Sequence, residues 1–248
     1  MRKNQEDDVT SHFSFLNVKA FVIIMEDTPI KLYYYKATGR ANQIRLTLAA
    51  ANIDFVDVHP ASFPPTPEEK EGWRKLGGNT TTNIPMLQIG DKCYSQSLAV
   101  LKVAASMGGL VPSEANQEDA YITDKLIADS EDFRIEAYKS FVTWGATKEA
   151  ADRFINEVVP LHFGNIERQL KEKGSDFFVG DKLTVADIAI YDAVINFGES
   201  RIPGDSLSEF AVLKAWTKRV EASPGIAKYL LSEQYAGLMK FDESTLGY

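Results

Sequence analysis

The chain has 248 residues, of which 44% are hydrophobic and 25% charged, enough apolar content for a real core in one large domain or two small ones. Its formal net charge of −8 at pH 7 argues against a nucleic-acid partner, which would need a basic patch to neutralise phosphates. The single cysteine, Cys93, excludes an internal disulfide framework and a multi-cysteine metal site, and His12, His59 and His162 stand at no metal-ligand spacing.

Residues 1–29 read as an N-terminal extension. Its apolar segment "AFVIIM" is preceded by acidic residues and followed by no small-residue cleavage pattern, so it does not read as a signal peptide. A flexible arm, an extra edge strand, or sequence upstream of a start at Met25 all fit it. No apolar run approaches the roughly 18 to 20 residues that cross a bilayer, and no membrane partner is expected. The lone cysteine fits a reducing compartment, and a cytoplasmic location is expected.

From Ile30 the pattern alternates between strand and helix. "IKLYYY" reads as a strand, "RANQIRLTLAAA" as a helix through Ile44, Leu48 and Ala51, and "IDFVDVH" as a second strand, which makes a βαβ unit. Side chains alternate along a strand, so Tyr34 shares a face with Ile30 and Leu32 while Tyr33 and Tyr35 point the other way. Three consecutive tyrosines therefore cannot all serve one site.

"PASFPPTPEEKEGW" reads as a polar, proline-rich loop. The stretch "NIPMLQIGDKCYSQSLAVLKVAASMGG" then reads as strand, Gly-Asp turn, strand and helix, with Cys93 in a strand where burial is expected. "GGLVPSEANQEDA" is a linker by composition. These signals predict a small α/β domain over residues 30–109 and an all-helical domain over residues 116–248.

In the helical part, Leu126, Phe133, Ala137 and Phe141 share one face, as do Ala151, Phe154, Val158 and Leu161 of the next segment. "TVAD" in "DKLTVADIAI" is a capping box in which Thr184 and Asp187 satisfy the first turn of a helix, with Leu183 and Ile188 packing outside it. Capping accounts for Asp187, so it is assigned to folding and not to acid catalysis.

The order βαβ then ββα, with a proline opening the third strand, resembles the thioredoxin-like fold, and the helical domain behind it makes the whole resemble the cytosolic glutathione S-transferases. Three stretches carry the likeness in family order and spacing: "KLYYYKATGRANQIRLTLAAANIDF", "NIPMLQIGDKCYSQSLAVL" and "FFVGDKLTVADIAIYD". It covers residues 30 to about 235. A tyrosine in the first strand is similar to the alpha, mu, pi and sigma classes, with a sigma-like member favoured.

The resemblance implies an enzyme that conjugates the glutathione thiolate to electrophilic, mostly apolar small molecules in detoxification. It implies glutathione as cosubstrate with no further cofactor or metal, and a homodimer. Two other readings fit the same fold: a glutathione-dependent isomerase or peroxidase such as a prostaglandin D synthase, and a non-catalytic glutathione-binding or structural homologue.

The resemblance also implies a site. Glutathione is a tripeptide whose thiol has a free pKa near the roughly 8.5 typical of cysteine, so such a site must hold the peptide and stabilise a thiolate. Alignment with the family's first strand puts the catalytic hydroxyl at Tyr34 and the early-helix arginine at Arg40, leaving Tyr33 and Tyr35 to pack. The Ile84-Pro85 bond is expected to be cis, turning the Ile84 backbone toward the cysteinyl unit. Gln96 and Ser97 would hold the γ-glutamyl carboxylate at a helix N-terminus. Trp73 and Lys75, with Arg74 as a substitute, would meet the glycyl carboxylate. Where the family often has glutamine before the clamp, this chain has the shorter Asn83. Asp129, Glu131 and Asp132 are the candidates for an acid that reaches the glutathione amine across a dimer interface, with Asp132 favoured.

Overall fold

Alternating burial opens the described part of the chain: in β1 (Ile30–Tyr33) Ile30 and Leu32 are buried and Lys31 and Tyr33 half-buried. The computed structural model describes residues 28–79, 81–113, 116–141, 146–202 and 205–240, so the N-terminal extension lies outside the described residues apart from its last two positions. A short 3-10 turn (Gly39–Ala41) leads into α1 (Asn42–Ala50), and β2 (Val56–Val58) returns parallel to β1, which completes the expected βαβ unit. β3 (Met86–Ile89) and β4 (Lys92–Ser95) form a hairpin around Gly90, and β3 pairs antiparallel with β1. The strand order is β2-β1-β3-β4, and α3 (Ser97–Met107) follows β4 directly.

The segment after β2 departs from expectation. The proline-rich stretch read as a loop contains α2 (Pro67–Arg74). The Glu69 N–H donates to the Thr66 hydroxyl at 3.2 Å, and the Glu69 carboxylate accepts from the Thr66 N–H at 2.9 Å. With Pro67 at the first helical position, where its missing N–H costs nothing, this is a complete helix start. The prolines mark the entry of a helix here, not its exclusion.

The rest is helical. α4 (Gln117–Phe141) begins inside the stretch read as linker. α5 (Lys148–Arg153), a π-helical turn (Phe154–Val158) and α6 (Val159–Lys173) run on from one another. α7 (Val185–Asp192) continues through a second π turn (Ala193–Gly198) and a 3-10 turn (Glu199–Arg201), and α8 (Ala211–Glu221), α9 (Pro224–Leu230) and α10 (Glu233–Ala236) close the chain. An N-terminal mixed-sheet domain is thus followed by an all-α domain. No described helix is long and apolar enough to cross a membrane.

Leu126, Phe133, Ala137 and Phe141 are buried together, as their spacing predicts. On the next segment Ala151, Phe154 and Val158 are buried but Leu161 is 62% exposed, which corrects the face assigned to it. The π turn supplies the reason. Its wider i→i+5 winding shifts the helical phase by about one residue, so the inward position passes to Phe163, which is fully buried.

Three clusters hold the fold. One face of the sheet packs Leu32, Tyr34 and Leu87 against Ile44 and Leu101, and reaches Ile127, Val185 and Ala189 of the helical domain. The other face packs Met86 and Cys93 on Trp73 beside Tyr33, and burial pushes the Cys93 thiol above its ordinary pKa. The helical domain centres on Phe133, Phe154, Phe163, Phe197 and Trp216. Across the junction, the buried carboxylate of Asp192 accepts from Asn42 Nδ2 at 2.7 Å, Asn196 Nδ2 at 2.6 Å and Arg134 Nη2 at 2.9 Å.

Candidate active site

Strand register brings the predicted residues to one end of the sheet. Tyr33 lies opposite Met86, which lies opposite Ser95. The neighbours of those three residues at that end are Tyr34, Pro85 and Gln96. Tyr34 extends β1 by one further bond, its N–H reaching the Val58 carbonyl at 3.1 Å. The Ile84-Pro85 bond is cis, as expected; a second cis bond, Phe63-Pro64, was not anticipated.

Gln96 has φ 75° and ψ 113°, a region that non-glycine residues avoid. Backbone held in such regions costs of order 1–3 kcal/mol and gathers at ligand clamps and active sites. Gln96 follows β4 and Ser97 begins α3, so the first N–H groups of α3 and their partial positive charge emerge beside Pro85. That end suits a carboxylate.

Tyr34 is 7% exposed and packs in the sheet's inner cluster. Its hydroxyl accepts from the Arg40 backbone N–H at 3.1 Å. Gly39 makes this approach possible: at φ +41° it carries a conformation glycine favours, and a Cβ there would stand 2.5 Å from Tyr34 Oη. Tyr33 and Tyr35 are spent on packing. The Tyr33 hydroxyl donates to Gln88 Oε1 at 2.8 Å, and the Tyr35 ring meets those of Tyr34 and Phe63 edge-on at 5.4 and 5.1 Å.

The Arg40 guanidinium pairs with the Glu131 carboxylate on α4 and lies 5.1 Å above the Tyr138 ring. Tyr138, on the same helix, is the aromatic ring that the Arg40 guanidinium covers. Burial, helped by Tyr34, pushes that phenol far above its ordinary pKa. Glu131, Arg134 and Tyr138 share one face of α4 by their i, i+3, i+7 spacing.

The remaining predicted residues sit elsewhere. Trp73 is buried against Met86 and Cys93, while the Lys75 and Arg74 cations stand exposed at the end of α2, 3.8 and 2.7 Å from Glu71. Asn83 is exposed. Asp132 follows Glu131 by one residue and so points about 100° away from it. It lines a cavity of about 380 Å³ between α4 and α6, together with Asp129 and His162. Burial pushes the His162 imidazole below its ordinary pKa, against the opposite pull of Asp129, Asp132 and Glu136. Within one chain, then, it is Glu131 that pairs with Arg40, the residue whose backbone N–H meets the Tyr34 hydroxyl, while Asp132 lines the α4–α6 cavity.

Sequence reasoning missed Gly39, Tyr138 and the Arg40–Glu131 pair. The shared face of Glu131, Arg134 and Tyr138 was visible as spacing, but nothing in it named Arg40 as a partner 91 residues away. Among the described residues no cluster of His, Cys, Asp and Glu could hold a metal ion.

The family "Glutathione S-transferase, N-terminal domain" matches residues 30–105, and "Glutathione S-transferase, C-terminal domain" matches residues 131–233. Glutathione S-transferase 3 of Gallus gallus is 30% identical over 204 residues, covering 80% of this chain and 84% of that protein. The class-mu 28 kDa glutathione S-transferase isozyme of Schistosoma japonicum is 30% identical over 222 residues, covering 84% and 98%. Among solved structures, the Pi-class glutathione S-transferase of Onchocerca volvulus superposes with a TM-score of 0.69 at 22% identity, covering 84% of this chain and 95% of that one.

Proposed function

The chain belongs to the glutathione S-transferase family, and on that premise we propose that it conjugates the glutathione thiolate to electrophilic, mostly apolar small molecules, with Tyr34 as the hydroxyl that stabilises the sulfur. The observation that carries this reading is the alignment of Tyr34, Pro85 and Gln96 at one sheet end, with the Tyr34 oxygen anchored by the Arg40 N–H. A hydroxyl aimed at a thiol favours its charged form and lowers its pKa, and once the thiolate exists, attack on a held electrophile needs little more than proximity. The Ile84 backbone beside cis Pro85 pairs with the cysteinyl unit. The α3 end at Gln96 and Ser97 takes the γ-glutamyl carboxylate. Trp73 and Lys75 stand as the glycyl anchors, and Arg40 adds positive potential near the sulfur.

Retention on glutathione-agarose together with turnover of a chlorodinitrobenzene-type substrate tests the reading. Retention without turnover would leave a glutathione-binding protein and overturn it.

The active form in this reading is a cytoplasmic homodimer, in which Asp132 of one protomer meets the glutathione amine bound by its partner. The outward turn of Asp132 away from its own Tyr34 supports this arrangement. Sedimentation at micromolar concentration is expected to give twice the monomer mass, and a monomer alone would refute it. Asp132→Asn is expected to weaken glutathione binding by about ten- to a hundredfold with an unchanged melting midpoint, because a charged hydrogen bond is lost. Calorimetry that showed unchanged affinity would move the assignment to Glu131 or Asp129.

A further inference from the structure

The Tyr34 side chain is met by its own loop. Leaving β1, the chain turns through residues 35–39 and comes back so that the Arg40 N–H reaches the Tyr34 hydroxyl at 3.1 Å. Gly39, at φ +41°, makes the last turn, and glycine loses more conformational freedom on ordering than any other residue. The aim of that N–H therefore depends on what fixes Thr38, the residue before Gly39.

The loop itself contributes a bond from the Ala37 N–H to the Tyr35 carbonyl at 2.7 Å. From α1, the Arg45 guanidinium reaches the Ala37 carbonyl at 2.7 Å and the Tyr35 carbonyl at 3.3 Å. Another restraint comes from the far end of the chain. Met239 pairs in parallel with Ala37: its N–H donates to the Lys36 carbonyl at 3.0 Å, and its carbonyl accepts from the Thr38 N–H at 2.9 Å. Met239 is 52% exposed, so its hold on the loop lies in its backbone. Leu238 before it is buried, and the Lys240 ammonium after it lies 4.5 Å over the Tyr235 ring of α10. From the same helix, Gln234 Nε2 donates at 3.1 Å to Asp57, whose carboxylate holds Arg45 at 2.8 and 3.1 Å.

We propose that residues 238–240 are a positioning element for the Tyr34 hydroxyl, a two-bond strap that fixes Thr38 and, through Gly39, aims the Arg40 N–H. This rests on Tyr34 being the sulfur's donor. With the Arg40 N–H on one lone pair, the hydroxyl proton cannot turn to that side and is left to the sulfur. A loosened strap lets the loop drift, and small misplacements of a reacting group cost rate far out of proportion to their size.

Met239→Pro in the full-length chain tests this, because it deletes the N–H that the Lys36 carbonyl takes. Followed by ultraviolet absorbance of the bound thiolate, the thiol pKa is expected to rise by roughly half a unit to one unit, less than in Tyr34→Phe, since the hydroxyl is misaimed and not removed. Turnover at neutral pH should fall about two- to tenfold and recover as pH rises, while the KM for glutathione stays put. Met239→Ala keeps both backbone bonds and should titrate as the unsubstituted chain does. Should the proline prevent folding, an ester in place of the Leu238–Met239 amide deletes the same N–H with every side chain kept, and the same shift is expected. An unmoved titration in the variant that folds, or an equal shift in Met239→Ala, overturns the inference so long as Tyr34→Phe moves the titration. If Tyr34→Phe leaves it unmoved, the assignment of Tyr34 itself has failed and the strap's role falls with it.

Discussion

Tyr34→Phe is expected to cut turnover at neutral pH by about tenfold to somewhat over a hundredfold, while glutathione affinity stays nearly intact. The magnitude follows from one charged hydrogen bond, worth roughly 1.5 to 3 kcal/mol, made to the thiolate and not to the neutral thiol. On the proposed reading affinity survives because the peptide would be held elsewhere, at the cis Pro85 turn and the α3 end beside Gln96. The deficit should shrink as pH rises, since bulk base then supplies the thiolate that the hydroxyl no longer favours. Phe at position 33 or 35 should leave the bound thiolate's titration in place. The Tyr33 hydroxyl is already given to Gln88, and Tyr35 contributes its ring to Tyr34 and Phe63. A wild-type rate and titration in Tyr34→Phe, with either neighbour's loss abolishing them, would show that the wrong tyrosine has been assigned.

The second large effect is on folding. Asp187→Ala is expected to destabilise the protein by about 3 to 5 kcal/mol in urea titration, with no change in the slope. Asp187 is fully buried, and its carboxylate accepts from four donors: the Phe178 N–H at 3.0 Å, the Thr184 N–H and hydroxyl at 2.9 Å each, and Trp216 Nε1 at 3.4 Å. Burial pushes its pKa up and those donors oppose the rise. Truncation leaves two backbone N–H groups and an indole without partners in the interior, which is the costly way to lose hydrogen bonds. The folded fraction should turn over at the wild-type rate. Full stability with lost turnover would instead make Asp187 part of the chemistry.

These two residues also show what the sequence could convey. Tyr34 was legible because strand alternation is strictly local, and Ile30 and Leu32 mark the inner face before any partner strand is known. Asp187 was legible because a capping box spans only three residues. The failures have physical causes of the same order. At Thr66 the same box was present but lay among prolines that read as loop. At Leu161 a π turn broke the 3.6-residue period on which the assignment depended. Arg40, Glu131 and Tyr138 meet only because α4 lies against the turn that carries Arg40, and no local pattern encodes which face of a helix meets which residue of another domain.

Asp192 carries one more consequence. Its carboxylate sits where three elements converge: Asn42 from the helix that follows Tyr34, Arg134 from the helix that carries Glu131 and Tyr138, and Asn196 from the π turn that places Phe197 on Tyr138. The seam between the two halves is therefore keyed by directional bonds and is more than a greasy contact. Oil slides, but a buried charge with named partners does not. The two halves are thereby held in one alignment, so replacing either half by a foreign one would have to carry its side of this joint along with it.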